Sequence, residues 1–510
     1  MTQPLFSAAL PWARERSLSI EAQLGMLLLG HLLLWTWVGW SSRSNFDAPG
    51  DMVEAYAWAQ GWQWGYNKHP PLSAWVVGVW FAVVPESQWG YSLLTALNAV
   101  IGLTGLALLA REFLPPRWVL LAVVVASLAP GITSLGMRFN ANAILISTWP
   151  WTVALFVRFM HRGRRADALL CGLAAALGML GKYYTAVLLL SLLATALWLP
   201  AWRARLRSRN FLWALGCFVL CFAPHANWLI TQVHGPLQYA RAATGQEGPG
   251  AALARALSFA LAQCVFPLLA FIALRLALVG TSAGRGFLGA ATAALRPRND
   301  AVWLLAMLPV LATMAITVLT GARTAWVWGL AIAATLSLLA AQRAHESGAQ
   351  LCLRRLWRTL ASIWFAVALL SPVWWHARAH LRTPAVTEPR EELALALDHA
   401  WALRHGGTLP WVTGTRALAA SVSFYAPGHP RYWSLWSPAA ETPWVDTAAV
   451  WARGGAIVCA ITDEACQEEA EAWSADRQNL SAVKKARGFE FEAQAYVVYW
   501  MTPQLTSVPS

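Results

Sequence analysis

Two carboxylates, Asp51 and Glu54, stand three residues apart, shortly before the run Tyr66-Asn67-Lys68-His69-Pro70-Pro71. At that spacing two side chains share one face of a helix. A carboxylate so placed can take the proton from an attacking hydroxyl, and a pair can hold a divalent cation through oxygen ligands. The ordinary account stays open beside these, because acids near a helix N-terminus stabilise it anyway. Further along, Lys182-Tyr183-Tyr184 interrupts two apolar runs. A lysine there is costly unless it serves an anion, and a phosphate is an anion that lysine meets as a point charge. Snorkelling to a membrane interface is the competing account of Lys182. Arg138, Asn140 and Asn142, and His225 in Ala223-Pro224-His225-Ala226, also fall at the ends of apolar runs. For His225 a packed, satisfied histidine is the ordinary reading and a substrate contact the alternative.

The elements that must position these residues are membrane spans. The 510 residues are 57% hydrophobic and only 12% charged, whereas about a quarter of a soluble protein is charged. The 32 tryptophans agree, since Trp gathers at membrane interfaces. Nucleic-acid binding is not the meaning of the net charge of +13: the last 135 residues hold 14 of the 25 acids but only 11 of the 38 bases. The remaining bases cluster between apolar runs, which is how a membrane protein sets its orientation.

Runs of spanning length occur at about 22–40, 89–110, 118–136, 143–157, 167–181, 184–200, 211–230, 254–279, 301–320, 325–341 and 359–375. A further run at 72–85 follows two prolines and is too short to cross, which suits an interfacial or re-entrant helix. If it does not cross, the clusters around Arg158–Arg165, Arg203–Arg209 and Arg343–Arg358 all fall in the cytoplasm, with segments 1–21 and 280–300. The expected fold is therefore a polytopic α-helical membrane protein of about eleven spans. Its first loop, 41–88, lies outside with the C-terminal part of the chain. Within that loop Asp47 and Pro49 mark a helix start, and Gly61 and Gly65 its end. Its aromatic residues, among them Tyr56, Trp58 and Trp64, predict a surface that skims the membrane.

From residue 376 prolines, charges and short alternating stretches replace the long runs, which predicts a small α/β domain over 376–510 after a membrane domain over 1–375. Strands are expected at 409–413, 456–461 and 492–501, and helices at 391–403, 415–424 and 463–473. Cys459 and Cys466 lie there in an oxidising compartment. A disulfide and two buried thiols are both open.

The pattern Asp51-x-x-Glu54 followed by Gly65-Tyr66-Asn67-Lys68-His69-Pro70-Pro71-Leu72 resembles the first-loop signature of the dolichyl-phosphate-mannose-protein mannosyltransferase-like enzymes. These are GT-C glycosyltransferases (families 39 and 83), whose bacterial branch includes the aminoarabinose and galacturonic acid transferases of lipid A. The likeness extends through Arg138–Trp149 and Gly181-Lys182-Tyr183-Tyr184 to Pro224-His225. It implies transfer of a sugar from a polyprenyl-phosphate donor to a hydroxyl acceptor at the periplasmic face of the inner membrane. The acceptor would be lipid A or lipopolysaccharide, another glycan, or protein. By the same likeness Asp51 is the catalytic base, with Glu54 beside it. By the likeness Lys182 also meets the donor phosphate, with Tyr183, Lys68 and Arg138 as further candidates for it and Tyr66, His69, His225 and Asn142 as candidates for substrate contact. The chain departs from the pattern at Met52, where many members carry Glu. A divalent cation on Asp51 and Glu54 is the one cofactor left open. The rival from another class is a transporter or flippase of a lipid-linked substrate, but such proteins place ionisable groups inside paired, broken spans, and here the acids lie in a loop.

Overall fold

The computed structural model describes residues 18–503 apart from 48, 232–235, 237–244, 246, 266–267, 280–295 and 297. The basic segments expected at 1–21 and 280–300 therefore lie largely outside the described residues. The helices in chain order are α1 Ile20–Ser41, α2 Asp51–Ala59, α3 Leu72–Phe81, α4 Gln88–Ala110, α5 Pro116–Ser127 and α6 Ile144–Arg162. Next come α7 Arg165–Gly181, α8 Thr185–Trp198, α9 Pro200–Leu206, α10 Arg209–Thr231, α11 Pro249–Val265 and α12 Leu268–Ala277. They are followed by α13 Ala301–Thr320, α14 Ile332–Glu346 and α15 Leu353–His380. Polar caps open several of them: Ser19, Ser87 and Asp300 accept the backbone N–H of Ala22, Gly90 and Trp303, satisfying donors the helix itself cannot.

Six helical segments among the described residues are long and apolar enough to cross a bilayer, with α11 and α12 taken as one, and seven if α8 and α9, bent by 114°, form one span. The eleven runs read from the sequence thus become unequal helices. The shortest inner one is α5, buried over its length from Trp118 to Ser127. Being apolar all round, it fits a protein interior as well as a membrane, and after Leu128 the chain leaves the helix in turns. By contrast α15 exposes Phe365, Leu369, Leu370, Val373 and Trp374, the pattern of a lipid-facing helix. Close packing of α4 on α6 needs Gly102, where any side chain would collide with the Ile146 carbonyl. Helix α3 has 10 residues, about 15 Å at 1.5 Å per residue, half of a ~30 Å hydrocarbon core.

The polar ends sort into two sets. Glu112 meets Arg162 at 2.6 Å and His161 at 3.2 Å, and Asp300 meets Arg343 at 3.0 Å. All of these belong to segments that charge counting puts together. Asp51, Asn140, Asn142, Lys182, Trp64 and His225 meet one another elsewhere, and these belong to the opposite set.

Helix α15 runs on to His380, past the boundary expected at 375, and the chain then forms an α/β unit. Its strands are β1 Trp411–Gly414, β2 Arg431–Tyr432, β3 Gly455–Ala460, β4 Arg477–Ala482 and β5 Gln494–Met501, in the order β2-β1-β3-β5-β4. The first three are parallel, while β5 pairs antiparallel with β3 and β4. Helices α16 Arg390–His405, α17 Arg416–Tyr425 and α18 Glu464–Glu471 complete it, close to the bounds expected. Cys459 and Cys466 are joined in a disulfide, with Cα atoms 5.7 Å apart.

The unit is tied to the rest of the chain at several places, two of them as follows. Phe424 of α17 packs on Phe46 and Tyr56, with ring centroids 4.9 Å from each. In a hairpin between β4 and β5, Arg487 donates to the carbonyls of Trp40 and Ser41, two acceptors that the end of α1 leaves unpaired.

Candidate active site

Helix α2 is set by its first turn. Gly50 takes a left-handed φ of 81°, and the Asp47 carboxylate accepts the N–H of Asp51 at 3.0 Å and of Met52 at 3.2 Å. Asp47 is itself fixed: its carbonyl accepts from Arg390 at 2.9 Å, and its carboxylate lies 3.7 Å from Arg138. Burial and the neighbouring Asp51 charge push the Asp47 carboxyl up, against the hydrogen bonds it accepts. From Met52 to Ala59 the helix is buried. That corrects the membrane-skimming expectation for Tyr56 and Trp58, because Phe424 of α17 packs on Tyr56 and the loop residues Tyr66 and His69 pack on Trp58. Trp62 and Trp64 do stay exposed.

Asp51 opens onto a cavity of about 940 Å³. Arg138, Asn140, Asn142 and Arg378 share its polar wall, and Trp35, Trp364, Val367 and Leu370 its apolar wall. A polar end beside an apolar chamber fits an amphiphile whose head reacts and whose chain lies in lipid. From Asp51 a line of polar contacts runs inward. The Asn140 amide donates to Asp51 Oδ2 at 3.0 Å. Asn140 Oδ1 in turn accepts the N–H of Asn142 at 2.9 Å and of Ala143 at 3.1 Å, opening α6. Asn142 Oδ1 then accepts from the Lys182 ammonium.

Lys182 sits in the break between α7 and α8, its Nζ 4.9 Å from the centre of the Trp328 ring. Burial pushes it down to about 7, against the pull of Asp51. A buried cation this close to neutrality is poised to gain a partner anion. His69 is near enough to feel both Lys182 and Lys68; burial chiefly, and those charges, push it down to about 3. It is therefore a neutral imidazole at pH 7.

The remaining predicted residues gather elsewhere. Glu54 pairs with Lys68 at 2.6 Å and lies 3.7 Å from Arg416 of α17. Burial pushes its carboxyl up, against the pull of these two cations. Tyr66 is buried, stacked on Trp58 with centroids 5.1 Å apart and edge-on to Trp444 at 5.3 Å. Tyr183 and His225 form a third group. His225 Nδ1 donates to the Trp64 carbonyl at 2.6 Å, so Nε2 accepts from the Tyr183 hydroxyl at 2.9 Å. That satisfied imidazole matches the packing role.

The structure thus brings Asp51, Arg138, Asn142 and Lys182 together and sends Glu54, Lys68, Tyr66, Tyr183 and His225 to flanking networks. Asn140, noted in the sequence only at the end of an apolar run, joins the first group, and Arg378 is an addition. Asn140 had a local signal, an Asn-x-Asn before an apolar run, which is a helix-start pattern. Arg378 had none, since only the fold carries it to the cavity. Among the described residues no three His, Cys, Asp or Glu side chains gather to hold a metal. With Glu54 committed to Lys68, the pair Asp51 and Glu54 does not fit a shared divalent cation.

Residues 68–228 match the family described as dolichyl-phosphate-mannose-protein mannosyltransferase. The crystal structure of ArnT from Cupriavidus metallidurans bound to undecaprenyl phosphate aligns with a TM-score of 0.60 at 15% identity, over 96% of this chain and 100% of that one. The chain has a GT-C glycosyltransferase fold. The apo structure of the same ArnT agrees, with a TM-score of 0.59 and 15% identity over 95% of this chain and 99% of that one. No curated protein matches the sequence. The matched stretch begins at Lys68. It takes in Arg138, Lys182 and His225 but leaves Asp51 and Glu54 outside, so the case for Asp51 rests on its place in the cavity.

Proposed function

We propose that the protein transfers a sugar from a polyprenyl-phosphate carrier to a hydroxyl acceptor, in one displacement at the anomeric carbon. The observation that carries this reading is Asp51 at the polar end of an amphiphile-sized cavity, tied through Asn140 and Asn142 to Lys182. Asp51 takes the acceptor proton as the new C–O bond forms. The bond to the phosphate oxygen breaks with its electron pair, and Lys182 and Arg138 stabilise the charge on the departing polyprenyl phosphate. A single displacement inverts the anomeric centre. Undecaprenyl phosphate in the ArnT structure supports a carrier of that class.

The same reading places the protein in a bacterial inner membrane, with about eleven spans and the loop 41–88 and the α/β unit (376–510) on the periplasmic side. In support, segments that the positive-inside rule assigns to one side meet each other in two separate polar sets. The acceptor is a lipid such as lipid A, another glycan or a protein.

Mass spectrometry of envelope glycolipids and glycoproteins from cells with and without this gene tests the reading. The expected result is one missing sugar mass, which identifies donor and acceptor together. Unchanged glycans with an altered distribution of carrier lipid would overturn it in favour of transport.

A further inference from the structure

We propose that Asn140 is a positioning residue for this reaction, holding one carboxylate oxygen of Asp51 so that the other meets the acceptor hydroxyl. The inference rests on the reading of Asp51 as base.

Its first support is that the amide cannot be turned round. Asn140 Oδ1 accepts two backbone N–H groups, those of Asn142 and Ala143. A flipped amide would point its NH2 at both donors and its oxygen at the Asp51 carboxylate. The observed orientation alone satisfies every partner, so an N–H must face Asp51 Oδ2, at 3.0 Å. A carboxylate has two equivalent oxygens. One held by a donor leaves the other as the natural proton acceptor, and the side chain loses the rotation that would blur its aim.

The second support is what Asn140 is mounted on. Its oxygen holds the turn that leads into α6, in the manner of a cap, and two residues on Asn142 receives the Lys182 ammonium. One short turn thus sets both the group that takes the proton and the cation that meets the leaving phosphate. The spacing between them is fixed by backbone rather than by two independent side chains.

A purely structural role for Asn140 predicts something different, and Asn140→Asp separates the two. Aspartate caps helices as well as asparagine does, so the turn and α6 persist. Its second oxygen, however, faces Asp51 as a like charge. In purified full-length protein, carbodiimide labelling of Asp51, read by peptide mass spectrometry across pH, reports where that carboxyl gains its proton, with no substrate present. In Asn140→Asp the labelling midpoint should rise by about one pH unit or more, a tenfold change in proton affinity. Sugar transfer in cells should fall on the order of tenfold to a hundredfold.

An Asn140→Asp protein that labels and transfers like the wild type overturns the inference, and so does one whose losses are equalled in unfolding temperature. Asp51→Asn is run beside it. If Asp51→Asn still transfers, the base assignment fails. If it is inactive while Asn140→Asp is silent, only the positioning role fails.

Discussion

Asp51 and Glu54 start from the same sequence position in all but name: two acids on one turn of α2, three residues apart. Asp51 stays partly exposed on the cavity with an amide as neighbour. Glu54 is buried between Lys68 and Arg416. One acid keeps a free oxygen in reach of a ligand, and the other is consumed in an ion pair. A site is therefore defined less by where its acids stand on a helix than by what the rest of the fold brings to each. Here the turn at Asn140 comes to Asp51 and helix α17 comes to Glu54.

The largest expected effect separates their chemistry. Asp51→Asn should lower transfer by roughly 10²- to 10⁴-fold, the usual worth of a general base, while the protein inserts and unfolds at the wild-type temperature. Glu54→Gln should do the reverse. Removing one partner of a buried pair costs about 3–5 kcal/mol, so thermal stability should drop sharply while transfer per folded molecule persists. Adding Lys68→Met should restore much of the loss, because no uncompensated charge is then buried. A Glu54→Gln protein that is stable but inactive would erase the contrast between the two acids.

Much of the frame was legible before any coordinates. Apolar runs mark the helices because lipid and core both demand them, and short apolar stretches between turns mark β1, β3 and β5, which are buried over most of their length. The short run after Pro70-Pro71 reads as a helix, α3, which at 10 residues is shorter than a bilayer core. What stayed hidden is what depends on distant partners. Lys68 is near Glu54 in sequence, but Arg416 reaches it only because α17 packs on α2. That same packing buries Tyr56, while Tyr66 and His69 fold back over Trp58, two residues whose composition pointed to a membrane surface. The fragmentation of the expected spans has a similar cause: α5 can end early because it lies wholly inside protein, where helix length need not match bilayer thickness. Lys182 was recognisable, since a cation between apolar runs is costly wherever it lies. Its partner Asn142 was only one polar residue among several.

A smaller effect tests whether Lys182 stands on the Asp51 side of the comparison. Burial brings it down to about 7, so the empty site carries the ammonium below that pH and loses it above. An anion binds the charged form. Affinity for undecaprenyl phosphate should therefore weaken by up to tenfold per unit above about pH 7, where the phosphate, with its second ionisation near pH 6, no longer changes charge. Lys182→Arg, which stays charged throughout, should bind with little pH dependence over the same range. Equal pH profiles for the two proteins would remove Lys182 from the phosphate site and return it to snorkelling.

The smallest effect probes the Glu54 side. Arg416 is bound firmly to Glu441, at 3.0 and 3.1 Å, and only loosely to Glu54, at 3.7 Å. A partly exposed pair at that separation contributes about 0–1 kcal/mol. Arg416→Ala should thus cost far less stability than Glu54→Gln, with Lys68 left to hold the carboxylate. Its effect should be local. Hydrogen exchange should quicken in α2 and α17, where the α/β unit grips the loop, and not in α5, whose protection comes from the membrane helices around it. If exchange in α2 is unchanged, Phe424 and its aromatic neighbours alone dock the α/β unit, and the ion pair is only a surface ornament of that contact.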